Sequence, residues 1–278
     1  AMKPVFSAAK RGARKRICFA EGEEERVLRA AQIVLDEGLA QPILIGRPAV
    51  IQQRIERFGL RLTEGVDYQV VNVEDDHRYR DFWQTYHRMT ERKGVTQQLA
   101  KIDMRRRLTL IGCMMVHKGE ADGLICGTWS TPDAHLHYID QVIGLRPGVS
   151  TYACMNALLL PERQVFLVDT HLNYDPSAEQ LAEITLMAAE EMKRFGVEPK
   201  AALLSHSNFG SSNHPTAVKM RRTLALVQAQ APWLEIDGEM HGDVAIDSTA
   251  RQALMPHSTL HANANLLVFP NLDAANIT

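Results

Sequence analysis

The sequence predicts an α/β protein of two lobes in which helices cover largely parallel sheets. Three features predict it. Short apolar runs alternate with longer stretches whose apolar positions recur at helical spacing. A break at Leu145-Arg146-Pro147-Gly148-Val149-Ser150 interrupts this alternation, which then resumes. Polar turns follow several of the apolar runs, at the carboxyl ends of strands, where open parallel sheets bind ligands. The break divides the chain into a first lobe of residues 1–148 and a second of residues 149–278.

In the first lobe, Ile17-Cys18-Phe19-Ala20 reads as a buried strand. A helix from Glu21 to Gly38 follows, with Val27, Ala31, Val34 and Leu35 on one face and Gly38 as its stop. Pro42–Gly46 is the next strand, Ala49–Gly59 the next helix, and Tyr68–Val73 a third strand. Strands separated by helices predict parallel pairing with right-handed crossovers. Helices are expected over Tyr79–Lys93 and Thr96–Lys118, then a strand over Ala121–Gly127. The turn Thr128-Trp129-Ser130-Thr131-Pro132-Asp133 opens a helix that ends at Ile143-Gly144. In the second lobe a β-rich stretch leads to a strand over Gln164–Val168. Asp175-Pro176 supplies an N-cap and first-turn proline for a helix carrying Leu181, Ile184, Ala188, Met192 and Phe195. Strands over Ala201–Leu204, Leu234–Asp237 and Leu266–Phe269, and a helix over Pro215–Gln230, complete the pattern.

The chain has 278 residues, 45% hydrophobic and 23% charged, enough to build a sizeable core without disulfide or metal support. Its 31 Lys and Arg against 33 Asp and Glu leave a formal charge of -2, which argues against nucleic acid as a partner. Two basic runs, Lys10–Arg16 and Arg105-Arg106-Arg107, read as solvated surface, with the phosphates of a nucleotide-like ligand as the alternative. The acidic opening Glu21-Gly22-Glu23-Glu24-Glu25 reads as dipole-favoured surface acids at a helix start. Cys18, Cys113, Cys126 and Cys154 form no CxxC pair and read as buried free thiols of a reducing compartment. With no run of about eighteen apolar residues and no signal-peptide pattern, a cytoplasmic protein without membrane partners is expected. Ala1-Met2 before Lys3-Pro4 reads as a cloning scar, and Asn271–Thr278 stops where a helix should begin, so a fragment of a longer chain is expected.

Among the polar turns, Ser205–His214 says most. It is dense in hydroxyls and amides, contains one glycine and runs into a helix. Hydroxyl donors, free N–H groups and the positive end of a helix dipole together favour an anion, while an ordinary capping loop is the plain alternative. Thr128, Ser130 and Thr131 have the same grammar in the first lobe, and Asp169–Asp175 is a third such turn. His135-Leu136-His137 lacks the spacing of a zinc site, and neither GxGxxG nor GxxxxGK[ST] is present.

Several segments together resemble the phosphate acetyl/butyryltransferase (phosphotransacetylase) family. They include Ile17–Glu23 with Arg26, Ala121-Asp122-Gly123-Leu124, Gln141-Val142-Ile143-Gly144 with Pro147-Gly148, and Phe166-Leu167-Val168-Asp169. Ala178–Ile184, the Ser/Asn-rich loop, Asp237-Gly238-Glu239 and Asn265–Pro270 with Asn276-Ile277 continue the match in order. The resemblance implies an isocitrate-dehydrogenase-like two-lobe αβα sandwich with a ligand cleft between the lobes, a dimer through the second lobe, and conversion of acetyl-CoA and phosphate to acetyl phosphate and CoA. It places an acyl-CoA or its phosphates against Thr128, Ser130, Thr131 and His137 in the first lobe. In the second it implicates Ser205, Ser207, Asn208, Ser211, Ser212, Asn213 and Asn265.

The sequence departs from the family where the chemistry is done. His137 stands where active members carry an arginine, and an imidazole is a poor substitute for a bidentate phosphate clamp. Thr90 and Glu91 stand where an Arg-Lys pair precedes Lys93-Gly94, though Arg88 or Arg92 can compensate. The family's Ser-Arg pair and catalytic Asp fall beyond the Asn276-Ile277 position, in a C-terminal segment that returns to the first lobe. No catalytic residue is therefore assigned here. The sequence is also similar to the degenerate copies of this domain found at the C-terminus of large bacterial malic enzymes. That resemblance implies an acetyl-CoA-sensing domain attached to an N-terminal enzyme, in a higher oligomer. NADP and Mg2+ or Mn2+ would then be used only in the attached part, which decarboxylates malate oxidatively to pyruvate.

Overall fold

In the computed structural model, residues 2–161 and 163–278 are described. They fall into two compact units, Phe6–Gly144 and, with the first few residues of the chain, Leu145–Thr278. A helix not expected from the sequence, α1 (Met2–Arg11), opens the chain.

The first unit is built on a parallel sheet of β1 (Lys15–Phe19), β2 (Ala40–Gly46), β3 (Gln69–Asn72) and β4 (Gly123–Ile125), in the order β3-β2-β1-β4. Side chains along a strand alternate between faces, and here both faces are apolar. Cys18, Ile43, Ile45 and Val71 pack on one side against α4 (Tyr79–Thr90), α5 (Gln97–Arg106), α6 (Leu108–His117) and α7 (Pro132–Val142). Phe19 and Leu44 point the other way, against Val27 and Leu28 of α2 (Glu25–Asp36) and Ile51 and Ile55 of α3 (Pro48–Arg57).

The helix expected over 96–118 is two helices, broken at Arg107, whose backbone is extended at φ -107° and ψ 93°. The reason lies in the burial each half needs. In α5 only Ala100 and Met104 are buried, whereas α6 is buried on all sides from Thr109 to Met115. A single straight helix cannot keep one half on the surface and run the other through the core.

The second unit contains β5 (Met155–Leu159), β6 (Gln164–Val168), β7 (Lys200–Leu204), β8 (Glu235–Met240) and β9 (Leu266–Val268), in the order β5-β6-β9-β7-β8. All neighbours are parallel except β5, which runs antiparallel to β6 along the sheet edge. Phe166, Val168, Leu203 and Ile236 meet Leu181, Ile184 and Met192 of α8 (Ala178–Arg194) and Met220 of α9 (Pro215–Gln230). On the opposite face Val165, Leu167, Ala202 and Met240 pack with Val244 of α10 (Gly242–Ile246) and Leu260. Two short helices, α11 (Ser248–Leu254) and α12 (Leu272–Ile277), follow.

Asp175 does not cap α8. The cap is Ser177, whose Oγ accepts from Gln180 N at 3.2 Å while Gln180 Oε1 accepts from Ser177 N at 2.9 Å. This reciprocal box satisfies two orphan helix donors. It leaves Asp175 to accept from Lys219 Nζ at 2.6 Å. Among the described residues, no helix is long and apolar enough to cross a membrane.

Candidate functional site

The Ser/Asn-rich loop sits at the carboxyl end of β7, as its position in the sequence predicts. Its organiser is Glu239, near the end of β8 and fully buried. One carboxylate oxygen, Oε1, accepts from Ser207 Oγ at 3.0 Å, Gly210 N at 2.9 Å and Arg221 Nη1 at 2.8 Å. The Glu239 carbonyl also accepts from Phe209 N at 2.7 Å, and Phe209 takes a left-handed φ of 46°. The other carboxylate oxygen, Oε2, is buried without a hydrogen-bond partner among the described residues.

Arg221 continues the network, donating to Ser212 O at 2.9 Å and to Asn213 Oδ1 at 3.4 Å. Asn208 Oδ1 accepts from His241 N at 2.8 Å, and Ser211 Oγ accepts from Asn208 N at 3.1 Å. His214 caps α9 through Nδ1, accepting from Thr216 N at 3.4 Å. Ser207, Asn208, Ser211 and Asn213 are therefore spent on the loop itself. Ser205 and His206 instead line a cavity of about 570 Å³ with Thr216, Leu267, Phe269 and Ile277. Ser212 sits beside that edge, its Oγ 3.2 Å from His206 Nε2. A mostly apolar cavity with a few converging polar groups at strand ends has the character of a small-molecule site.

Asn265 belongs elsewhere. Its Oδ1 accepts from Lys200 N at 2.7 Å and its Nδ2 donates to Glu198 O at 2.9 Å. Both partners lie at the start of β7, so this amide fixes strand register at the end of the sheet away from the loop. Asp169 is also an organiser. It is buried, and its two oxygens accept from the N–H groups of Cys154, His171, Leu172 and Asn173. The 169–175 turn is thus wound around one carboxylate.

In the first unit, Thr131 is the N-cap residue of α7 but makes no side-chain cap, and Ser130 has a left-handed φ of 75°. His137 is exposed, edge-on to the Tyr138 ring at 4.9 Å. Thr128 is half-buried. Ser130 lines a second cavity, of about 150 Å³, where His135 bonds to Thr109 Oγ1 at 2.7 Å and to the carbonyl of Trp129.

Glu21 is not a surface acid. It is 3% exposed, borders this cavity and accepts from Gly127 N at 3.2 Å. Of its acidic neighbours, Glu23 pairs with Arg47 at 2.8 Å, and Glu24 caps α2 by accepting from Arg26 N and Val27 N. The sequence signals for Glu21, Glu239 and Arg221 were weak, because nothing local marks a charged residue for burial.

The four thiols are free, with Cys18 and Cys113 buried and Cys126 and Cys154 half-buried. Burial pushes Cys18 and Cys113 up to about 12. Burial, opposed by a Thr170 hydrogen bond and helped by the Asp169 charge, also raises Cys154. None is poised as a thiolate.

The model of the "Phosphate acetyl/butaryl transferase" family matches residues 1–278. The chain belongs to this family. It is 53% identical over 277 residues to an NAD-dependent malic enzyme of Rhizobium meliloti, with all of this chain covered and 36% of that protein. It is 52% identical over 277 residues to an NADP-dependent malic enzyme of Escherichia coli, with the same coverage. The chain therefore spans about a third of the length of these curated relatives. A phosphotransacetylase from Streptococcus pyogenes has the same fold, with a TM-score of 0.88 at 29% identity, covering all of this chain and 84% of that one. The α/β class expected from the sequence is thus the observed one.

Proposed function

We propose that this chain is the phosphotransacetylase-like part of a nicotinamide-dependent malic enzyme and acts there as an acetyl-CoA-responsive regulatory domain. One observation carries the reading: identity of 53% and 52% over 277 residues to two malic enzymes of which such a chain is 36%. The geometry supports the regulatory half of it. In the second unit, a cavity with an apolar wall of Leu267, Phe269 and Ile277 and a polar edge at Ser205 and His206 suits an acyl-pantetheine arm. In the first, exposed His137 stands where the family resemblance puts an arginine, and an imidazole is a poorer clamp for a transferring phosphoryl group.

Binding becomes regulation only if acetyl-CoA prefers one of two arrangements of the whole protein. NADP or NAD, with Mg2+ or Mn2+, would serve the attached enzyme and not these residues. The protein would work in the cytoplasm as a homo-oligomer. The test is malate-dependent nicotinamide reduction by the full-length protein, with and without saturating acetyl-CoA, beside a Ser205→Ala variant. A rate that acetyl-CoA changes, with a weaker response in the variant, supports the reading. An unchanged rate removes the sensing role.

A second reading is favoured by the fold shared with the Streptococcus pyogenes phosphotransacetylase. On it the domain is an active phosphate acetyltransferase, and arsenate would drive loss of acetyl-CoA. If the domain neither binds acetyl-CoA nor turns it over, oligomer assembly is what remains, measured as loss of assembly on deleting it.

A further inference from the structure

The sheet of the second unit ends on one side in an uncovered strand. β5 runs antiparallel to β6, and in the turn between them Leu160 N donates to Arg163 O at 2.9 Å. The end of β5 is apolar on both faces and open to solvent, with Leu158 43% exposed, Leu159 56% and Leu160 43%. Soluble proteins ordinarily blunt such an edge with charged side chains, a proline within it or a covering element. Here no charged residue occurs from Pro147 to Pro161.

The hydrogen bonds of β6 fix what the edge presents. Phe166 N donates to Asn265 O, and Val168 O accepts from Phe269 N, both on the β9 side. In an antiparallel pair the residues opposite these, Ala157 and Met155, then turn their own N–H and C=O away from β6. Leu159 does the same by alternation.

This edge is complementary to itself. Two copies laid antiparallel about Ala157 set Met155 against the partner subunit's Leu159, and Leu159 against the partner subunit's Met155. The three pairs with outward groups exchange about six main-chain hydrogen bonds. No like charges meet across the pairing, because the strand carries none.

The face toward α8 supplies a receptor for the incoming leucine. Met155 shares that face with Val168, its β6 neighbour. Both border a cavity of about 220 Å³ with Ala153, Ile184, Met187 and Ala188. Directly opposite residues of two paired strands point to the same face. The partner's Leu159 therefore stands over Met155, at the mouth of this apolar cavity. A five-residue strand alone is small beside the ~800 Å² per partner of a stable interface. The two-fold also brings both copies of α8 to one face of the joined sheet, where half-buried Met187 extends the contact.

We propose that β5 is the dimer seam of this chain, pairing with β5 of a second copy about Ala157 to join two five-stranded sheets into one. This gives a surface to the homo-oligomer of the proposed function, and it rests on no other part of that reading. The test is sedimentation velocity of the chain over about 1–100 μM. Wild type is compared with Ala157→Lys, Leu159→Lys and Ile33→Lys, the last a control in the first unit where the isoleucine is 59% exposed. Wild type and the control should be dimers by about 10 μM. Each β5 variant should raise the dimer Kd by about tenfold or more, since it brings two ammonium groups together at the axis or buries one in the apolar contact. Ala157 and Leu159 are exposed in the single chain, so both variants should fold, which circular dichroism checks.

A second measurement reads the register. Directly opposite residues of a hydrogen-bonded pair have Cα atoms about 5.5 Å apart, within disulfide reach. Ala157→Cys should therefore link to its partner copy under copper phenanthroline, where wild type with its four native thiols does not. A wild type that stays monomeric at about 100 μM overturns this seam together with a dimer of this chain. A wild-type dimer that both lysines leave intact, or that Ala157→Cys fails to link, overturns the seam and leaves the oligomer to another surface.

Discussion

Replacing Glu239 with alanine is the sharpest test of how the Ser/Asn-rich loop is held. The substitution strands three donors at once: Ser207 Oγ, Gly210 N–H and Arg221 Nη1. Removing one partner of a buried ion pair costs about 3–5 kcal/mol. Arg221 is 30% exposed along its side chain and keeps Ser212 O and Asn213 Oδ1, so water and these partners soften its loss. That puts Glu239→Ala near the low end, about 3 kcal/mol. Glutamine tests how charge and hydrogen bonding share this role, because all three donors converge on the single oxygen Oε1 and Oε2 accepts nothing among the described residues. An amide oxygen in the Oε1 position keeps Ser207 and Gly210, but the charge opposite Arg221 is lost and the new NH2 takes the place of Oε2, which has no partner among the described residues, so the cost is about 2–3 kcal/mol. Urea unfolding of wild type, Glu239→Ala and Glu239→Gln measures the difference. Hydrogen exchange over 205–214 should rise in Glu239→Ala before global unfolding does. If Glu239→Ala falls within about 0.5 kcal/mol of wild type, the loop is not held by this carboxylate. If glutamine is costlier than alanine, the single-oxygen argument fails.

Three further outcomes follow from local chemistry. Cys18 and Cys113 are raised by burial from 9.0 to about 12, so below about pH 9 both are protonated, folded or unfolded. Above that the unfolded chain loses protons that the folded chain keeps, and stability falls by roughly 1.4 kcal/mol per pH unit per thiol up to about pH 12. Alkaline urea titrations of wild type should be steeper than those of the Cys18→Ala, Cys113→Ala double variant, and equal slopes would contradict the burial. Gly22→Ala places a Cβ 2.8 Å from Ile45 O and 2.9 Å from Ile45 N, backbone that cannot swing aside. A loss of about 1–3 kcal/mol in thermal or urea unfolding is expected. Ser177→Ala removes half of the α8 capping box and should cost about 1 kcal/mol, where Asp175→Ala, which gives up an exposed pair with Lys219, should cost less.

The fold was legible wherever burial is uniform along an element. Cys18, Ile43 and Leu44 sit in apolar runs because parallel strands are covered on both faces, and such runs need no partner to be recognised. Where burial changes within an apolar stretch, local pattern fails. The stretch over 96–118 reads as one helix, yet its first half buries only Ala100 and Met104 while its second half is buried on all sides, and the turn at Arg107 allows that. Edge strand β5 fails for the opposite reason. Leu158, Leu159 and Leu160 look like core in sequence, but they are 43%, 56% and 43% exposed. Nothing local distinguishes a covered apolar strand from an uncovered one.

The Ser/Asn-rich loop was legible in its place in the fold more than in its contacts. Residue types placed the loop after β7 correctly, but the density of Ser and Asn that drew attention to 205–214 serves mostly the loop's own bonds. A loop that is to hold a ligand tightly must be ordered before the ligand arrives, since ordering it on binding would cost affinity. Its hydroxyls and amides are therefore the very groups its own backbone needs, as Ser207, Asn208 and Ser211 show. The residues that do the ordering come from distant strands and carry charge. Glu239 lies 32 positions beyond Ser207, and Glu21 lies 106 positions before Gly127. Both are acids whose burial no local pattern marks. Since an isolated buried carboxylate is costly, each persists only where something returns that cost. For Glu239 the return is visible in three donors, and for Glu21 in the N–H of Gly127.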